Sequence, residues 1–505
     1  MGIGRPTETT AATEIDAVGL ITPNTVDVAA VMLSVLRTGN ATITPVNPMY
    51  TPAEAAHQLH TCNVKALVVH ASSIELAREA AKLCGLAEDK ILLMPAYGSS
   101  KAEEQAVKAS GLRFMNDVLV CDEALPIINM TKEQLQSRPA VLCFSSGTSG
   151  LSKGVISSHR NIVSNVMQYV TPQDDLRPDD VFTGLLPMFH VYGFIMAIVI
   201  APYLGYTVVS YPRFVLGHFL SSCQHWKVTR MFIAPPIALA IVKSPLLKRH
   251  QNQSLRAIVS GAAPLSEHLH QELSRLTGSY VSQGYGLTET SPIIVASYKA
   301  KEHAVPGTVG VLLPNHRVRL VDPDTREDVP VGPESRGEVW VSGPNVMAGY
   351  LGNPEATAKA LEMDAEGQIW FKTGDIAVID ASGFFRIVDR VKELIKVQGF
   401  QVAPAELEGL LLEHPGIADC AVIAHQADEG ELPRGFIVRA QTPEGEALTA
   451  ETVQAFVASR VVSYKHLRGG VVFVDSIPKS SAGKILRRLL RDAQNVDALI
   501  KGSKM

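Results

Sequence analysis

The sequence predicts an α/β protein. It should have a large N-terminal domain of helix-covered, mainly parallel sheets with a small β-barrel, followed by a small α+β C-terminal domain. Three observations lead there. The 505 residues exceed what one compact core holds, so at least two domains are expected. Over the first three-quarters, strand-like and helical segments alternate, the pattern of parallel sheets covered by helices. From about residue 307 to 390 the texture changes to the period-two alternation of antiparallel strands.

Thr51-Pro52-Ala53-Glu54 is a capping box with proline at the first helical position, opening a helix to about Leu59. Residues 66–70 and 140–144 are apolar runs that read as buried strands. A Gly/Ser loop joins the second of these to the next helix, one face of which is marked by Ile162, Val163, Val166, Met167 and Val170. Residues 194–209 form the most apolar stretch, broken by Pro202 and Gly205. It falls short of the about 20 residues a membrane span needs and reads as buried core. Strands follow at 317–321, 337–343, 376–380 and 384–390, the last two joined as a hairpin by Asp380-Ala381-Ser382-Gly383. Beyond Arg390 come a helix at 404–413, strands at 421–424 and 435–440, a helix at 450–461, a strand at 471–475 and a basic helix from near Lys484. The boundary between 1–390 and 391–505 is charged and carries no Pro/Gly linker, which predicts a tight hinge.

Apolar residues at 46% and charged residues at 19% are ordinary for a globular chain, and a net charge of −4 offers no basic surface for nucleic acid. The six cysteines are scattered without a CxxC pair, so a disulfide framework or zinc site is not expected and a reducing compartment is the simpler reading. Cys143 reads as a small buried hydrophobe. Residues 1–10 are polar and lack the apolar core of a secretory signal. Ser503-Lys504-Met505 differs only at its last position from the tripeptide SKL, which predicts a peroxisomal import receptor as partner.

The chemistry begins in the loop Ser145-Ser146-Gly147-Thr148-Ser149-Gly150-Leu151-Ser152-Lys153-Gly154. Its glycines let several backbone N–H groups converge on an anion, four hydroxyls add donors, and Lys153 adds a cation. That composition suits a polyphosphate. It also suits a flexible linker, although linkers seldom follow directly on a buried strand. The spacing excludes a Walker A loop, which counted from Gly147 needs glycine at 152 and Ser/Thr at 154.

This loop resembles the phosphate loop of the acyl-adenylate-forming superfamily: acyl-CoA synthetases, stand-alone adenylation domains and luciferase. Family members usually carry proline where this chain has Ser152, a change that removes no phosphate ligand. Gln283-Gly284-Tyr285-Gly286-Leu287-Thr288-Glu289-Thr290 is similar to the second family signature, although alone it could be a loop with a solvated Glu289. Thr373-Gly374-Asp375 reads as the end of a strand, and alone as a capped turn. Pro187-Met188-Phe189-His190-Val191-Tyr192-Gly193 resembles the segment gating the acid pocket, although a lone histidine among apolar residues is more often simply core. In Asp389-Arg390-Val391-Lys392-Glu393, Lys392 matches the family's hinge position, and residues 395–408 just after it are similar to the coumarate-CoA-ligase version. Pro478-Lys479-Ser480-Ser481-Ala482-Gly483-Lys484-Ile485 matches the catalytic-lysine loop. The resemblance runs from about residue 20 to 490 with six motifs in order. It places residues 1–16 outside the match and implies that the family's leading strands and helices are lacking.

The resemblance implies an ATP-dependent, AMP-forming acyl-CoA ligase with ATP, Mg²⁺ and coenzyme A as cofactor or substrates and a small carboxylic acid as partner. It assigns Lys484, His190, Thr288 and Glu289 to catalysis, with Glu289 on Mg²⁺. ATP and AMP fall to Ser145, Ser146, Gly147, Thr148, Ser149, Gly150, Lys153, Gly261, Ala262, Ala263, Gln283, Gly284, Tyr285, Gly286 and Thr288. Asp375 and Arg390 are assigned to the ribose. The acid pocket is implied at Tyr192, Met196, Val259, Ala262, Gly284, Gly286, Pro292 and Ile293. The C-terminal domain would turn about Lys392 and present Lys396, Gly399 and Gln401 to CoA and the adenylate. Met196 stands where phenolate-type members commonly carry a small polar residue, so a more apolar acid is expected, whether fatty, polyketide-derived or aryl-alkanoic. Two other readings share most motifs: loading of a carrier-protein thiol, and an inactive ATP-binding homologue.

Overall fold

The computed structural model describes residues 15–94, 101–118, 128–145, 152–299, 302–333, 335–398, 400–427, 430–481 and 483–491. Residues 1–10, 146–151, Gly399 and Ser503-Lys504-Met505, each assigned a reading above, lie outside them. The expected α/β architecture is what the chain adopts.

The first sheet is built from β1 (Asp16–Ile21), β2 (Ala41–Val46), β3 (Val64–Val69), β4 (Ile91–Leu93), β5 (Arg113–Phe114), β6 (Pro139–Ser145) and β7 (Lys153–Ser158). Its order is 7-6-2-1-3-4-5, parallel except where β7 turns back on β6. The second sheet takes β8 (Val181–Gly184), β9 (Thr207–Ser210), β10 (Arg230–Ile233), β11 (Ala257–Ser260), β12 (Tyr280–Gly286), β13 (Ile293–Ala296) and β14 (Val311–Leu312), in the order 14-13-12-11-10-8-9. Here β9, β8, β10, β11 and β12 are parallel, and β13 and β14 close the edge antiparallel. The largest buried cluster joins the two sheets through the helix Val28–Arg37, the helix His159–Val170 and the π-helix Phe194–Ile200. The apolar stretch from residue 194 is therefore core as expected, and no helix among the described residues is long and apolar enough to cross a membrane.

The small β-barrel expected here is corrected: among the described residues the region is an antiparallel sheet whose edge strands do not pair with each other. It contains β15 (Arg317–Val321), β16 (Gly337–Ser342), β18 (Leu361–Met363), β19 (Ile369–Ile379) and β20 (Phe385–Arg390), while the short β17 (Gly349–Tyr350) adds to β7 at the edge of the first sheet. The β19–β20 hairpin turns as read, with the Asp380 carboxylate accepting from the N–H groups of Ser382 and Phe384. After Arg390 follow the hairpin β21 (Ile395–Val397) and β22 (Phe400–Val402), then a sheet of β23 (Ile417–Ala427), β24 (Gly430–Arg439) and β25 (Val471–Phe473). The helices Pro404–Leu411 and Ala450–Ala458 close a separate apolar core.

Three further expectations are corrected. The Gly/Ser loop joins two antiparallel strands, β6 and β7, so the next helix begins only at His159. On that helix Val163 and Met167 are exposed at 60% and 44%, while Asn161, Asn165 and Gln168 are buried. The reason is hydrogen bonding: the Asn165 amide accepts from the Ile293 N–H (3.1 Å) and donates to its carbonyl (2.6 Å), locking the helix to β13. Asp375 sits within β19 and not at its end; Gly374 takes φ +72° there, a conformation glycine adopts without penalty. The expectation for Cys143 stands: it is buried in β6, and burial pushes its thiol up to about 12.

Candidate active site

The strand ends and the loops following them converge on one partly open cavity. Its walls include Tyr192, Met196, Val259, Ala262, Gly284, Gly286, Pro292 and Ile293, so all eight residues expected around an acid meet in one place. Gly261, Tyr285, Thr288, His190 and Lys484 line it as well. Tyr169 and Phe232 were not expected. Tyr169 follows the helix turn that hydropathy misplaced, and Phe232 lies in a strand without a motif.

Backbone packing explains the glycines. A Cβ at Gly286 would stand 2.0 Å from the Pro292 carbonyl oxygen, and one at Gly193 would stand 2.1 Å from that of Pro187. Gly193 ends the turn Val191–Gly193, which His190 caps through its Nδ1 (3.4 Å to the Tyr192 N–H). The following residues wind as a π-helix, placing Met196 on the cavity wall.

Lys484 reaches the cavity from the C-terminal segment, held in a tight turn by the Ser480 N–H to Lys484 carbonyl bond (2.8 Å). Burial pulls its ammonium below the usual lysine range, as does the Arg390 charge, while Asp375 and Glu289 pull it back. Burial and the Lys484 charge lower His190 to about 4, so its imidazole is neutral at pH 7. Arg390 and Asp375 face each other across β19 and β20. The Asp375 carboxylate accepts from Arg390 Nε (3.1 Å) and from the Tyr285 hydroxyl (2.8 Å).

Glu289 is 8% exposed, and its Oε1 accepts from the Tyr350 hydroxyl at 2.9 Å. Lys153 lies over the Tyr350 ring, 4.7 Å from its centroid, because β17 pairs Tyr350 with Val155 of β7. Tyr350 thus ties the end of the Gly/Ser loop to Glu289. Sequence reasoning missed it, since nothing local marks a tyrosine whose partners lie 61 and about 200 residues away.

Gln283 is engaged away from the nucleotide role expected of it: its amide accepts from the Leu265 N–H (2.8 Å) and donates to the Leu265 carbonyl (3.2 Å). Ala263 does not line the cavity. Lys396 and Gln401 face each other on the exposed face of the β21–β22 hairpin, and Lys392 is exposed in the turn after β20; none of the three lines the cavity.

The buried histidines give a stability prediction. His190, His159 and His270 are each lowered to about 4, chiefly by burial, against an ordinary value of about 6.5. Between those values the unfolded chain binds more protons than the folded one, so stability falls as pH drops from about 6.5 to about 4. The urea midpoint should be lower at pH 5 than at pH 7; equal midpoints would contradict this.

Comparison with known proteins agrees with this geometry. Residues 12–351 match the family described as AMP-binding enzyme, and residues 406–484 match the AMP-binding enzyme C-terminal domain. The chain belongs to the AMP-binding enzyme family. It is similar to a probable 4-coumarate–CoA ligase 2 of Dictyostelium discoideum, at 38% identity over 94% of this chain and 85% of the relative. A rice 4-coumarate–CoA ligase 2 is 37% identical over 94% of this chain and 83% of its own length. Among solved structures, ATP-bound MatB from Rhodopseudomonas palustris superimposes with a TM-score of 0.80 at 28% identity, covering 96% of this chain and 90% of that one.

Proposed function

We propose that the chain is an AMP-forming acid–thiol ligase that activates a carboxylic acid with ATP as an acyl-adenylate and passes the acyl group to coenzyme A. The observation that carries this reading is Lys484 in the wall of the eight-residue acid cavity, beside His190 and within electrostatic reach of Arg390, Asp375 and Glu289.

A carboxylate oxygen is a poor leaving group. Attack of that oxygen on the α-phosphorus of ATP forms the acyl-adenylate and releases pyrophosphate. Attack of the CoA sulfur on the adenylate carbonyl then forms the thioester and releases AMP; the thiol proton passes to solvent. Two anions must meet in the first step, so the work is electrostatic. Lys484 neutralises charge between carboxylate and α-phosphate, and Thr288 donates to that phosphate. Asp375, held by Arg390 and Tyr285, receives the ribose hydroxyls. Neutral His190 bounds the acid compartment without adding a charge.

Glu289 fits a magnesium site: its carboxylate is a hard oxygen donor, anchored by Tyr350 on one oxygen. A Mg²⁺ held by one protein carboxylate and the phosphates needs no cluster of protein ligands, and none occurs among the described residues. Bound there, Mg²⁺ would offset phosphate charge. Removing the Tyr350 hydroxyl in Tyr350→Phe should lower pyrophosphate release about tenfold and raise the Mg²⁺ concentration needed for half-maximal rate. An unchanged magnesium dependence would contradict the positioning role.

The same small domain carries Lys484 and the β21–β22 hairpin, and of its described residues Lys484 alone lines the cavity. Rotation about Lys392 would bring Lys396, Gly399 and Gln401 in for the thiol step. The apolar wall at Met196 favours a fatty, polyketide-derived or aryl-alkanoic acid, because a buried phenol would lack a partner there. A panel of acids assayed for pyrophosphate release, with mass spectrometry of the CoA product, tests both points. Preference for 4-coumarate would sink the apolar assignment, and thioester only with a carrier protein would move the thiol step to that acceptor.

A further inference from the structure

Behind the acid cavity lies a second, narrow polar space with room for about one water molecule. Tyr169, Val259 and Ala296 line both, so these three side chains form the partition, and Ala296 is its smallest member. The far chamber is unlike the apolar near one. Gln173 lines it, and the Gln173 Nε2 is buried without a hydrogen-bond partner. Such an orphan donor is unfavourable unless something occupies it. Ser282 adds a hydroxyl, and Arg230 forms the floor with a side chain 2% exposed.

Charge decides what fits. Arg230 donates through Nε to Asp180 (3.1 Å), through Nη1 to the Tyr280 hydroxyl (3.2 Å) and through Nη2 to Asp175. Arg256 pairs with Asp180 as well. Two guanidinium groups thus face two carboxylates, and the cluster is already balanced. A further carboxylate would enter with no free counter-charge and carry its full desolvation cost. A neutral oxygen faces no such cost and satisfies the idle amide.

We propose that this chamber is a distal subsite of the acid pocket that takes a neutral hydrogen-bond acceptor, a ketone or hydroxyl oxygen, at the tail of the substrate acid. It rests on the reading of the near cavity as the acid site. Without acid, the space is large enough for a single water at most, and one tail oxygen is the occupant of matching size.

The test uses the full chain and three series of straight-chain acids from six to twelve carbons: plain alkyl acids, their methyl-ketone-terminated counterparts and the dicarboxylates of equal length. Pyrophosphate release gives kcat/KM for each. One ketone length should exceed its alkyl counterpart about tenfold, and no dicarboxylate should do so. In Gln173→Leu the ketone-to-alkyl ratio should fall to near one. A parent ratio of one or below at every length overturns the subsite, as does preference for a dicarboxylate or a ratio that survives Gln173→Leu. The parent ratios decide the matter even if the variant does not fold. Release from no acid at all overturns the ligase reading and the subsite with it, whereas release without tail preference overturns the subsite alone.

Discussion

Lys484→Ala is expected to lower acid-dependent pyrophosphate release by about a hundred- to a thousandfold, the usual effect of removing one preorganised charge from a water-poor site. Among the described residues Lys484 is the one lysine or arginine lining the cavity, and His190 beside it is neutral at pH 7. No other cationic side chain among the described residues lines the cavity to offset the charge of a carboxylate approaching a phosphate. Lys153 stands over Tyr350, and Arg390 is engaged by Asp375. The loss should be confined to the first step. Thioester formation from a supplied acyl-adenylate should persist in the variant, because in the thiol step the sulfur attacks a carbonyl carbon and no carboxylate has to approach a phosphate. Equal loss of both half-reactions would show that the substitution damages the fold or the pocket, and the circular dichroism spectrum would then separate the two.

Asp180→Ala should be the most damaging substitution outside the cavity, destabilising the chain by about 3–5 kcal/mol. The Asp180 side chain is wholly buried and stands at the start of β8. It accepts from the Thr229 hydroxyl (2.7 Å), Arg230 Nε (3.1 Å), the Arg177 N–H (3.0 Å) and Arg256. Burial alone would raise its pKa; these donors and charges hold it below the ordinary carboxylate range. The residue thereby ties β8 to β10 and to the segment leading into β11. Removing it leaves Arg230 as a buried cation with only Asp175 to oppose it. A fall in the denaturation midpoint that Asp180→Asn repairs only in part would support this account, and a midpoint within measurement error of the parent would refute it.

The sequence was most legible where structure is local. The capping box at Thr51 forms as read, Thr51 Oγ1 accepting from the Glu54 N–H (3.3 Å), and the turn at Asp380 closes its hairpin. The eight residues that line the cavity with Lys484 could be collected because they sit in or beside motifs of recognisable order. What could not be read depends on partners distant in sequence. The strand β7 contains Gly154, Ser157 and Ser158 and lacks strand composition, yet pairing with β6 and β17 buries both serines to 1%. The face of helix His159–Val170 is turned by the Asn165 bonds to Ile293, which lies 128 residues away. Hydropathy counts an asparagine as outward-facing, and here a backbone edge supplies the partner that lets it face inward. The Asp175–Asp180–Arg230–Arg256 cluster and the Tyr350–Glu289 bond are invisible for the same reason.

The most direct test of the central claim follows one oxygen atom. An acid carrying ¹⁸O in its carboxylate is incubated with the protein, ATP and CoA, and the nucleotide product is weighed by mass spectrometry. Attack of the carboxylate on the α-phosphorus predicts one ¹⁸O in AMP and none in pyrophosphate. Label in inorganic phosphate accompanied by ADP, or unlabelled AMP formed alongside the thioester, would contradict it.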